Sequence, residues 1–240
     1  MITRRRLWMM LAETAIASAV VSLVAARSET SARVPDAESN CVTTGTPPPT
    51  ATYTYRTRQG GTVSTFTYRW SEYSDKSSRL EITPLQPAQG RNRVVTTTKY
   101  AFQDDLVVVD SYETTGTNAA GPFTTKTVHR PALVSGPALR VCQGKTWRTG
   151  PVQVTTTTAG RTSTDPMTIT GEVVSIHEPV TVEAGSFDTV HFRQTQSSGT
   201  ATVVVNVWRA IKDGAPVRTE TTTHGITIVE TLISTIDRAH

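Results

Sequence analysis

With 240 residues, 37% of them hydrophobic, the chain is long enough to bury a real core, and one large β domain is its simplest organisation. The formal charge of +4 falls close to neutral once Arg4, Arg5 and Arg6 at the N-terminus are set aside, which excludes the electrostatic footprint of a nucleic-acid binder. Threonine dominates the composition, at 45 residues and mostly in runs such as "VTTTK", "VTTTTAG" and "TETTTHG". Thr is β-branched and fits a pleated sheet, so these runs predict strands with their hydroxyls on wet outer faces.

In chain order, residues 1–26 come first. Three arginines precede an apolar stretch from Leu7 to Ala26 that ends in Val24-Ala25-Ala26, with Glu13 the one discordant residue. This is the order of a cleaved signal peptide, and it is also long enough for an uncleaved membrane anchor. Both alternatives place the rest of the chain outside the cytoplasm, in the cell envelope or secreted, with membrane contact only through an uncleaved N-terminal segment. Residues 27–50 form a polar, Pro-rich linker ending in Pro47-Pro48-Pro49, and a single β domain is expected over 51–240. Two cysteines in an exported chain predict one disulfide, Cys41 to Cys142, across a loop of about 100 residues. Glu38-Ser39-Asn40 before Cys41 is no lipobox, so lipid attachment is not expected.

"ATYTYRTRQGGTVSTFTYRW" reads as a hairpin, with Tyr53 and Tyr55 on one face and Phe66, Tyr68 and Trp70 on one face of the return strand. "SRLEITPL", "NRVVTTTKYAF", "DDLVVVDSYETTG" and "FTTKTVHR" continue the series, broken by residues that favour turns. Pro131 to Ala138 is the one place for a short helix or an irregular crossing. Beyond it come "PVQVTTTTAG", "DPMTITGEVVSIHE", "PVTVEA", "SFDTVHFRQTQS", "GTATVVVNVWRA", "PVRTETTTHG" and "ITIVETLISTI". The fold expected is all-β, an antiparallel meander of about 11–12 strands curved into a half-barrel or barrel, with little helix outside the N-terminal segment.

Known catalytic arrangements are not found. The chain has no nucleophile elbow and no glycine-rich phosphate loop, and "HEPVT" lacks both the second histidine and the helix of a zinc protease. His129, His177, His191 and His224 are too dispersed to suggest a metal site, and His191 should face away from Val190 and Phe192. Asp104-Asp105 reads as a turn, and Glu183 and Asp188 bracket a hairpin tip. No metal and no cofactor are expected.

Three elements in the C-terminal half resemble, in order, those of DUF3108-like bacterial exported proteins of unknown function. They are "LRVCQGKTW", the hairpin "PVTVEAGSFDTVHF" and the ending "VNVWRAIKDGAPVRTETTTHGITIVETLIS". Glu183, Arg209 and the turn Asp213-Gly214-Ala215-Pro216 depart from that pattern. The resemblance implies an envelope-associated curved sheet, similar to those of periplasmic lipoprotein and lipid carriers. Two functional readings stay open. In the first, a concave sheet lined by Phe66, Tyr68, Trp70, Trp147 and Trp208 binds an apolar small molecule or lipid without catalysis. In the second, the same aromatics are packed core in a structural or protein-interaction module. A monomer is expected in both, and a hydrolase is a distant third reading.

Overall fold

The computed structural model describes residues 40–46, 48, 51–71, 77–85, 93–103, 105–118 and 121–237. The N-terminal segment 1–26, most of the linker, residues 86–92 and Asp104 lie outside the described residues. The strands, in chain order, are β1 (Cys41–Thr43), β2 (Ala51–Gln59), β3 (Thr62–Ser71), β4 (Ser77–Pro84), β5 (Val94–Gln103), β6 (Leu106–Asn118) and β7 (Gly121–Pro137). They continue as β8 (Arg140–Cys142), β9 (Thr146–Thr158), β10 (Arg161–Val182), β11 (Gly185–Ser198), β12 (Ala201–Ala210), β13 (Pro216–Thr223) and β14 (Ile226–Asp237).

Twelve of these strands close into an all-antiparallel barrel. The meander runs from β2 to β7 and from β9 to β14, and β14 pairs back onto β2 from Ile228↔Gln59 to Asp237↔Ala51. Closure pairs the first and last strands and so removes the open edges that a long twisted sheet would present. Outward positions in mid-strand carry ion pairs such as Glu172–Arg193 and Arg218–Glu220, whereas a lipid-facing barrel carries an apolar band there. Among the described residues no helix is long and apolar enough to cross a membrane.

Residues 131–137 are strand rather than helix. β7 continues through them to Pro137, and register shifts against β6 at Val107/Val108 and Val109/Ser111 absorb the irregularity. The β7–β9 ladder, however, ends at Arg130↔Gln153, close to Pro131 and Pro151, neither of which has an N–H to donate. Beyond that point side chains sew the seam in the wall. The Val134 N–H donates to Thr149 Oγ1 at 3.0 Å, and Gln194 Nε2 reaches the Ser135 carbonyl at 3.3 Å. The two strands expected over 165–184 form one, the 22-residue β10, bent by register shifts at Val173/Ser175 and Ser175/Glu178 with His177 at φ 57°.

At one end, β8 leaves the wall to pair with β1, in a register that places Cys41 opposite Cys142, and these two form the disulfide. The chain after β1 then lies tightly on the barrel. The Thr44 N–H donates to the Leu139 carbonyl at 2.9 Å and the Gly45 N–H to the Ile211 carbonyl at 2.7 Å. Only glycine fits at 45, since a Cβ there would stand 2.1 Å from the Lys212 carbonyl oxygen.

The threonine expectation needs correction. Thr96, Thr98, Thr114, Thr127, Thr219, Thr221 and Thr223 are all buried rather than on a wet outer face. Hydroxyls tolerate this because they pair across strands, Thr96 with Thr114 at 3.1 Å and Thr127 with Thr156 at 3.3 Å. The same pairing recurs on exposed positions, Thr155 with Thr164 and Thr157 with Thr162. Cross-strand register, which aligns Thr with Thr, is what makes the run useful on both faces.

Candidate functional site

The five aromatics singled out as a ligand-lining set do not come together. Phe66, Tyr68 and Trp70 lie in one cluster with Tyr53, Tyr55, Leu80 and Leu232, Trp147 lies in a second cluster, and Trp208 faces outward. In the first cluster the rings interlock. Tyr53 meets Trp70 edge-on at 5.3 Å, Tyr55 meets Tyr68 at 4.6 Å, and Tyr68 meets Trp70 at 6.1 Å. The tip of the β10–β11 hairpin covers them with Val182, Ala184 and Phe187, and Glu183 anchors that tip by a 2.5 Å ion pair to Arg56. The Tyr55 hydroxyl donates to the Pro216 carbonyl at 2.9 Å.

A carboxyl group, that of Glu230, borders this cluster beside Tyr68. Glu230 accepts from the Tyr68 hydroxyl at 2.7 Å and from the Thr57 hydroxyl at 3.2 Å. Burial pushes the Glu230 carboxyl above its ordinary range, against the pull of those two hydrogen bonds. Burial, then the neighbouring Glu230, pushes Tyr68 well above its own range, so it serves as a hydrogen-bond donor.

Trp147 packs on a glycine. It sits opposite Gly171 in the β9–β10 register, and a Cβ at 171 would stand 2.1 Å from the indole. Its neighbours are Val141, Val173, Val190, Phe192, Val205 and Val207, all buried.

Trp208 belongs to a half-buried surface cluster built around the β10 bulge. His191 stacks on one face of the indole at 4.2 Å and 17°, and the Arg218 guanidinium lies over the ring at 5.2 Å. The indole Nε1 donates to Glu178 Oε1 at 2.7 Å, His191 Nδ1 lies 3.3 Å from Glu178 Oε2, and the Ser175 hydroxyl donates to that same oxygen. Burial pushes the Glu178 carboxyl up, but the hydrogen bonds from Ser175 and Trp208 and the adjacent His191 hold it below the ordinary carboxylate range. His191 Nε2 is 3.2 Å from Asn206 Oδ1, and His177 pairs with Asp188 at 2.7 Å. As expected, His191 points away from the buried Val190 and Phe192. Ser175 donates to the carboxylate rather than to His191, so the serine–base pair of a nucleophilic site is not formed here.

Two interior residues were not anticipated. Arg209 is only 2% exposed; burial lowers its guanidinium to about 10. It donates to the Ala138 carbonyl at 3.1 Å and to Thr44 Oγ1 at 3.4 Å, and lies 5.3 Å over the Phe192 ring, so it ties the chain after β1 to the barrel. Its departure from an aromatic in the family-like pattern was the available signal. His129 is 2% exposed, and burial lowers its imidazole to about 4.

No protein-family model matches the chain, so the DUF3108-like resemblance stands on its three local elements. No curated protein matches its sequence. Among solved structures, one similar chain is a Bacteroides fragilis protein described as exported and as having a YmcC-like fold. It shares 12% identity and a TM-score of 0.41, over 82% of this chain and 100% of its own.

Proposed function

We propose that this chain is a non-catalytic, exported β-barrel that serves as a structural or protein-interaction module, with a packed interior and a polar outer surface that meets other molecules. The observation that carries this reading is the aromatic cluster. Tyr53, Tyr55, Tyr68 and Trp70 spend their ring faces and edges on one another, under the hairpin tip of Val182, Ala184 and Phe187. Trp208, which faces outward, has His191 and Arg218 over its ring and Glu178 on its N–H. Export is supported by the leader-like N-terminus and by the Cys41–Cys142 disulfide. The non-catalytic part is supported by Ser175 and His191, both held by Glu178 rather than by each other.

The competing reading, a carrier of an apolar ligand, needs an interior that opens around Phe66, Tyr68 and Trp70. Titration with a hydrophobic fluorescent probe separates the two. The packed barrel leaves the emission of the probe unchanged, and saturable, stoichiometric uptake would overturn it.

A further inference from the structure

The first part of β10 keeps an open edge. It pairs with β9 alone, from Arg161↔Thr158 to Met167↔Val152, because the ladder to β11 begins only at Thr168↔Ser197. Arg161 to Pro166 are all exposed. The two-residue turn before them has Ala159 at φ 49° and Gly160 at φ 76°, the type I′ geometry that makes Thr158 and Arg161 a hydrogen-bonded pair. Antiparallel pairs alternate, so the backbone groups of Arg161, Ser163 and Asp165 face β9. Those of Thr162 and Thr164 face outward, and no strand meets them among the described residues. Pro166 has no N–H and ends the usable edge.

The sequence of this edge, "RTSTD" at 161–165, is complementary to itself. Laid antiparallel on a second copy and centred on Ser163, it sets Arg161 opposite Asp165 and Thr162 opposite Thr164, twice over. Within one strand Arg161 and Asp165 stand about 13 Å apart and cannot meet. None of the ion pairs among the described residues uses either of them. We propose that this edge joins two copies of the chain across a two-fold axis, so that β10 of one protomer continues the sheet of its partner. In that register Thr162 and Thr164 exchange backbone hydrogen bonds in both pairs, and an Arg161–Asp165 pair flanks each end. Moving the centre by one residue loses both charge pairs, and toward Thr164 it also sets Pro166 against Thr162. A five-residue strand pair is smaller than the roughly 1,600 Å² of a standard interface, so the dimer is weak and concentration-dependent, in place of the monomer expected from the sequence. The inference rests on the protein-interaction reading and names the partner as a second copy.

Sedimentation equilibrium at low ionic strength and rising protein concentration reads this association. The wild type is expected to pass from monomer to dimer. Arg161→Asp and Asp165→Arg each place like charges opposite one another and should each weaken association by about tenfold or more. An equimolar mixture of the two variants should restore it, since every facing pair is then opposite in charge. A wild type that stays monomeric to millimolar concentration would overturn the proposal, and so would a dimer indifferent to both reversals. If a variant does not fold, the wild type decides by amide hydrogen exchange. Exchange at Thr162 and Thr164 is expected to slow as concentration rises, and unchanged exchange would reject the edge. Either failure leaves the packed interior to its own test, the probe titration.

Discussion

Replacing Trp70 by alanine separates a packed interior from a ligand cavity. The indole is fully buried, it meets Tyr53 at 5.3 Å and Tyr68 at 6.1 Å, and Nε1 has no hydrogen-bond partner. The loss is therefore apolar packing, for which Trp→Ala in a core costs about 3–5 kcal/mol. Against a total domain stability of roughly 5–15 kcal/mol, that shifts the urea midpoint strongly while leaving the slope unchanged. Trp70→Phe keeps a ring in place and loses no hydrogen bond, so it should cost only about 1–2 kcal/mol. Equilibrium urea unfolding followed by far-ultraviolet circular dichroism measures both. A Trp70→Ala cost below about 1 kcal/mol would mean that the indole borders open space, and the packed-core reasoning would fail.

Other perturbations test separate parts of the fold. Gly171→Ala places a methyl group where the Trp147 indole lies and should cost about 1–3 kcal/mol, with Trp147→Phe in the same chain recovering part of it in a double-mutant cycle. Removing the disulfide as Cys41→Ser/Cys142→Ser frees a loop with a sequence separation of 101; it should cost about 2–4 kcal/mol in urea unfolding and leave the barrel's circular dichroism intact, since β2–β14 pairing closes the wall without it. His129 binds its proton near pH 4 in the folded protein, whereas an unfolded histidine does so near 6.5. The unfolded chain therefore holds more protons in between, and stability present above pH 6.5 is lost on acidification toward pH 4, by about 3 kcal/mol. His129→Gln should flatten that part of the stability–pH curve.

Local periodicity made much of the barrel legible. Phe66, Tyr68 and Trp70 at spacing two placed three core residues on one face, and the turn at Gly60-Gly61 fixed the first hairpin. Long-range facts were less accessible. The β14–β2 closure joins segments more than 160 residues apart, and no local pattern encodes it. Grouping Trp208 with Trp70 failed because a strand residue's face depends on its register, and the β11–β12–β13 register places Trp208 opposite His191 and Arg218 on the outside. The threonines misled for a related reason. A hydroxyl looks solvent-seeking until a cross-strand partner such as Thr114 for Thr96 satisfies it in the interior. Burial of Arg209 runs against the ordinary preference of that side chain and depends on the Ala138 carbonyl and Thr44, which only the fold brings near. The surface cluster at Glu178 depends on a β-bulge, whose extra residue changes side-chain direction without a sequence signature of its own.

The account rests on an interior occupied by its own side chains. Native mass spectrometry of the protein purified from its own host, under conditions that retain bound lipid, tests this most directly. The account predicts only the mass of the bare, disulfide-bonded polypeptide or of its dimer. A stoichiometric adduct in the lipid mass range, released on unfolding, would contradict it.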